Sequence, residues 1–141
     1  MTPRSFTALV AAALAVALLG AACAPQSSTS NSVSKFRGDQ RAVAQAVEDL
    51  EAAANDSDEA KLCNQILSRA LAGRIAAAGN GCQAGVKAAV KDTDSTGMTV
   101  EAVQVSGNRA TARVKFETGK RDRRGTIALV REGGGWRIAG F

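Results

Sequence analysis

The apolar residues of this chain change their spacing partway along it. From Phe36 to Val90 they recur every three or four positions, and from Met98 onward every second one. The first spacing stripes one side of a helix; the second lines one face of a strand. A chain with that single switch is constrained to helices first and a sheet afterwards. Its class is α+β, with three helices covering one face of the sheet.

The strand half is the more legible. Ala110, Ala112, Val114 and Phe116 alternate with Thr111, Arg113, Lys115 and Glu117, so one face is apolar and the other meets water. Before it, Met98 and Val100, then Val103 and Val105, make a strand whose phase slips near Ala102, which predicts a bulge. Ser106-Gly107-Asn108 is a tight turn. After the connection GKRDRRG, Thr126 to Val130 form a third strand. The stretch EGGG then turns the chain into a last strand carrying Trp136 and Ile138. The expected sheet is a four-stranded antiparallel meander.

In the helical half, Phe36, Val43, Val47, Leu50 and Ala54 mark a first stripe. Asp56 with Glu59 fits a capping box, and Asp58 is a second candidate N-cap. A second helix follows over Leu62, Cys63, Ile66, Leu67, Ala70 and Leu71. Gly79-Asn80-Gly81 breaks the chain before a third, with Cys82, Val86, Ala89 and Val90 on one side.

The N-terminus reads differently. Arg4 precedes an unbroken apolar run from Ala8 to Ala24, which is short of the roughly 20 residues a spanning helix needs. That is the pattern of an export signal, residues 1–22. Gly20 and Ala22 suit cleavage before Cys23 by a signal peptidase, which leaves plain secretion open. The stretch Ala21-Ala22-Cys23 also resembles the lipobox of bacterial lipoproteins, with Gly20 where leucine is usual. That resemblance implies a lipid anchor on Cys23 and a chain held to the outer face of the membrane. Residues 23–35 are then a serine-rich tether, and residues 36–141 the folded domain. As flexible coil the tether reaches on the order of 18 Å.

Three cysteines in an exported chain leave one over. If Cys23 carries lipid, Cys63 and Cys82 remain as a pair, and outside the cytoplasm a disulfide between them is the expectation, with two free thiols the alternative. Zinc is a weaker reading, because the chain has no histidine and this spacing is not that of a ligand set.

The element order resembles a small NTF2-like domain, a cystatin-like α+β roll. The closing GTIALVREGGGWRIAGF is similar to the last hairpin of such domains, and LCNQILSRALAGRI with GCQAGVKAAV resembles the helices of exported actinobacterial members. That resemblance implies a bridged cysteine pair and a sheet curled around a pocket. Leu67, Phe116 and Trp136 are the expected lining. Some relatives of this fold use the pocket for isomerase or dehydratase chemistry, and others only bind.

Catalysis finds little support. Ketosteroid-isomerase-like chemistry needs a carboxylate base and an oxyanion partner such as tyrosine, and the chain has neither tyrosine nor histidine. The missing histidine also excludes Ser-His-Asp and Cys-His arrangements. Ser32-Val33-Ser34-Lys35 matches S-x-x-K, but lies in the tether without its partner motifs.

The net charge of +5 is concentrated after Met98, and Lys120, Arg121, Arg123 and Arg124 crowd one connection. A solvated turn and an anion contact are both open there. No aromatic residues interleave with them, and export argues against nucleic acid. The expected function is therefore a lipid-anchored, non-enzymatic domain that binds a small ligand or an envelope protein, without cofactor or metal. An enzyme with an NTF2-like pocket and a purely structural envelope protein are the alternatives.

Overall fold

The computed structural model describes residues 31–91, 97–118 and 121–141. A 3-10 turn over Asn31–Lys35 leads into α1 (Gly38–Asn55) and α2 (Glu59–Lys61). A π-helical turn over Leu62–Ile66, α3 (Arg69–Ala78) and α4 (Cys82–Lys91) complete the helical layer. The strands are β1 (Gly97–Ser106), β2 (Arg109–Thr118), β3 (Arg121–Glu132) and β4 (Gly135–Gly140). They pair antiparallel in chain order, so the α+β class and the meander are as the change of spacing implied. Among the described residues, no helix is long and apolar enough to cross a membrane.

The long helix α1 carries Val43, Val47 and Leu50 into a core shared with Val100, Val114, Ile127 and Ile138. It also braces an exposed sheet edge. Among the described residues strand β1 pairs with β2 alone, so its outer backbone groups have no strand partner. Gln40 Nε2 donates to the Val103 carbonyl at 3.1 Å, and the Glu51 carboxylate accepts from the Met98 N–H. From Gln40 to Glu51 the helix rises about 16 Å, about as far as β1 runs from Met98 to Val103. The helix thus covers the edge at both ends.

At its C-terminus α1 closes with a Schellman pattern. Asp58 N–H donates to Ala53 O at 2.9 Å and Ser57 N–H to Ala54 O at 3.1 Å. Ser57 holds the left-handed position, with φ of 52°, where glycine is usual. Asp58 then caps α2, its carboxylate accepting from Lys61 N–H at 2.9 Å.

Four sequence expectations need correction. The folded domain begins before Phe36: Asn31–Lys35, expected as the end of the tether, is a 3-10 turn that buries Val33 in the core. The helical half has four α-helices, not three. What reads as one amphipathic helix from Leu62 to Leu71 is broken at Leu67 and Ser68, both extended. There Leu67 forms a parallel bridge with Ile138, and Ser68 N–H donates to Ile138 O at 2.8 Å. Ser68 Oγ accepts from Leu71 N–H at 3.2 Å and starts α3 as its N-cap. Phe36 packs against the core but precedes α1, which begins at Gly38. Finally, β3 begins at Arg121 rather than Thr126, pairing Thr118 with Arg121. Ladder hydrogen bonds join backbones whatever the side chains, and charged residues on both faces hide such an extension from periodicity.

The slip in β1 is a bulge between Val100 and Ala102. In the β3–β4 turn Gly133 and Gly134 have φ of 58° and 82°, as a two-residue hairpin of that hand requires.

Candidate functional site

The helical layer does not close over the whole sheet. Between the C-terminal half of α1, helices α3 and α4, and the sheet end where β1 starts and β2 finishes lies a cavity of about 340 Å³. Alternation places Met98 and Phe116 on the helix-facing side, where they form its floor. Leu50 and Ala54 of α1 and Leu62 and Leu67 from the broken segment form one wall. Ile75 of α3 and Val86, Ala89 and Val90 of α4 form the other. Phe141, which is 76 % exposed, stands at the mouth.

The helix break at Ser68 makes this space. A continuous helix would carry Leu67 past the sheet; the extended step instead ties it to Ile138 and sends α3 off in a new direction. Helices α3 and α4 meet closely because Gly85 lacks a side chain: a Cβ there would lie 2.5 Å from Ile75 Cγ2. The Cys63–Cys82 disulfide (Sγ–Sγ 2.07 Å) pins the π-helical turn to the first residue of α4.

Of the residues expected to line a pocket, Leu67 and Phe116 do so, and Trp136 does not. Trp136 is buried at the beginning of β4 with the Arg131 guanidinium 4.8 Å above its ring. Arg131 in turn pairs with Asp39 at 2.7 Å.

The basic cluster is not a loop. Arg121, Arg123 and Arg124 lie within β3, while Lys120 and Cys23 fall outside the described residues. Strand alternation divides the three. Arg124 lies on the outer sheet face, where its Nε donates to Glu101 at 3.1 Å, and Arg113 also pairs with Glu101 at 3.7 Å. Lys115 on that face meets Glu117 at 3.0 Å and Asp122 at 3.6 Å; these two carboxylates, Glu117 foremost, hold its ammonium more firmly protonated than usual. Arg123 is directly opposite Phe116 in the β2–β3 register and so shares the inner face.

Sequence reading passed over Glu51. Its Oε2 is buried and, among the described residues, without a hydrogen-bond partner, beside the cavity residues Leu50 and Met98. Burial pushes its carboxyl above the ordinary carboxylate value of 4.5. The Met98 N–H opposes that shift, and the Glu48 and Glu117 charges add to it. The signal was present, since Glu51 follows Val47 by one helical turn and falls inside the apolar stripe. Glu48 is buried too, and accepts from Ser32 Oγ at 3.2 Å.

Among the described residues that line the cavity, none has a side chain that could transfer a proton. Among the described residues, no group of three metal-ligating side chains converges anywhere. An apolar, half-open space of this size is suited to binding a small molecule by exclusion of water.

Residues 37–140 match a protein family described as "Putative lumazine-binding". A solved structure of a de novo designed NTF2 fold protein, NT-9, is similar at 17% identity and a TM-score of 0.48, over 74% of this chain and 86% of that one. No curated protein matches the chain.

Proposed function

Since the chain belongs to this lumazine-binding family, we propose that it is a ligand-binding domain whose cavity between α3, α4 and the sheet holds one small molecule. The observation that carries this reading is the cavity of about 340 Å³, bounded by side chains from every layer of the fold. A void of that size in a domain this small forgoes packing that the core could otherwise use. An occupant would restore those contacts, and a ligand at 100 times its Kd would stabilise the fold by about 2.7 kcal/mol. Binding rather than catalysis is favoured because no described residue of the lining has a titratable side chain. Glu51, next in sequence to the lining residue Leu50, is engaged with the Met98 N–H at the sheet edge.

The proposed setting is the cell envelope. The apolar leader directs export, Cys23 takes the lipid, and the tether holds the domain against the outer membrane face. Two arguments support it: the order of the leader residues, and the Cys63–Cys82 bridge, which belongs in an oxidising compartment. Replacing Cys23 (Cys23→Ser) should move the protein from the membrane fraction to the medium. Unchanged membrane retention would refute the anchor.

The binding reading is tested by methyl NMR on the full chain with a small-molecule panel that includes lumazine. A bound ligand should shift the methyls of Leu67, Val86 and Val90 together. Ala89→Trp, at an exposed lining position, should abolish the shifts while leaving the melting temperature within a few degrees. Shifts that survive this substitution would place the ligand elsewhere and sink the reading.

A further inference from the structure

Resting on the ligand-binding reading and deepening it, we propose that the ligand is a single-chain anionic amphiphile, its hydrocarbon chain in the cavity and its head group against Arg123. Three observations carry this.

The first is the lining. It is made of aliphatic side chains, Met98, two phenylalanines and Gly85, with no polar side chain among them. A pteridinedione such as lumazine presents carbonyl and N–H groups around its rings. Sunk in this space, each would lose its water without gaining a partner, at a cost of about tenfold or more in affinity apiece. A hydrocarbon chain has no such groups to lose.

The second is size. A cavity of about 150 Å³ lined by Leu, Ile and Phe holds one benzene. The present one is about 340 Å³, which by the same ratio takes about a dozen carbons. The space is not fully enclosed, and Phe141 of its lining is exposed, so a polar end can remain in water while the chain is enclosed.

The third is the position of Arg123. Directly opposite it is Phe116, whose ring forms part of the cavity floor. A Cβ on Gly125 would come within 2.9 Å of Phe116 Cε2, so Phe116 and Gly125 share the inner face. Arg123, two residues before Gly125 on the same strand, extends that face beyond the aromatic floor. It is exposed, and its side chain takes no part in the ion pairs among the described residues. The outer-face cations Arg124, Arg113 and Lys115 are all paired with carboxylates. A guanidinium beyond an aromatic floor suits a carboxylate or a phosphate ester, and its planar donors can grip either with two hydrogen bonds.

The test titrates the full chain with dodecanoate, dodecyl phosphate, dodecanol and lumazine, each below its aggregation limit, and reads the methyls of Leu67, Val86 and Val90. Dodecanoate or dodecyl phosphate should shift them saturably, and the tighter of the two identifies the head group. Arg123→Gln should weaken that anion about tenfold and leave dodecanol unchanged. Equal anion affinity in the wild type and Arg123→Gln would overturn the head-group assignment. Lumazine shifting these methyls while both anions fail would overturn the amphiphile and leave the ligand-binding reading standing. If no probe shifts them, both fall.

Discussion

Removing the disulfide should cost this domain about a third of the stability a small protein usually has. The perturbation is Cys63→Ala with Cys82→Ala. The bridged residues are 19 apart in sequence, so the bond closes a loop of about 20 residues. Chain-entropy loss on closing that loop amounts to about 11 cal/mol/K, or about 3 kcal/mol at 25 °C. Both cysteines are only partly buried, so truncation to alanine adds little cavity cost. For a domain this size, 3 kcal/mol lowers the melting temperature by about 10 to 25 °C. The assay is urea unfolding followed by Trp136, the one tryptophan of the chain, which is 8 % exposed in the core. Reductant should bring the wild type to the stability of the double variant and leave that variant unchanged. A loss below about 1 kcal/mol would refute the loop argument, as would a reductant effect of equal size in both proteins. Because the bond ties the π-helical turn to α4, its loss should also weaken ligand binding.

Other substitutions probe single features. Burial raises the Glu51 carboxyl above its ordinary 4.5, so the folded chain holds that proton more tightly than the unfolded one. Its stabilising effect is full below that ordinary value and is lost as pH rises through the folded one. Urea midpoints measured upward from pH 4 should show that loss in the wild type and a flatter profile in Glu51→Gln; parallel profiles would exclude burial as the cause. Ser68→Ala removes the cap of α3 and should cost about 1 kcal/mol in denaturant melts, with α3 amides exchanging faster by hydrogen–deuterium exchange. Ser57→Gly relieves a left-handed residue and should raise stability by about 1 kcal/mol; no gain in the melting temperature would mean the serine is unstrained.

Much of this architecture was legible along the chain. The alternation from Ala110 to Glu117 names a strand, its inner face and its outer face. Gly107 and the paired Gly133 and Gly134 name the turns, because only residues tolerant of positive φ close such hairpins. Cysteine parity pointed to the pair Cys63 and Cys82. These are local or counting arguments, and they need no knowledge of what lies across the fold.

The misreadings share a cause. Leu62 to Leu71 carries a helical stripe, yet Leu67 leaves the helix because Ile138, some seventy residues later, offers its backbone. Serine at 68, followed by Leu71, was a readable cap signal that the stripe outweighed. Arg121 to Arg124 showed no alternation, because beyond the helical layer neither face of β3 is buried enough to demand it. Trp136 was an expected pocket residue, but it stands at the start of β4, opposite Arg131, and does not line the cavity.

The order of spacing along the chain by itself determined the class, the meander and the covered face, since a side chain's direction follows from its neighbours in sequence. Only the tertiary structure decided that a cavity exists, that Glu51 braces a strand edge, and that Arg123 parts company with Arg124. Those properties depend on which residues meet across elements, and a space between layers belongs to no single segment of the chain.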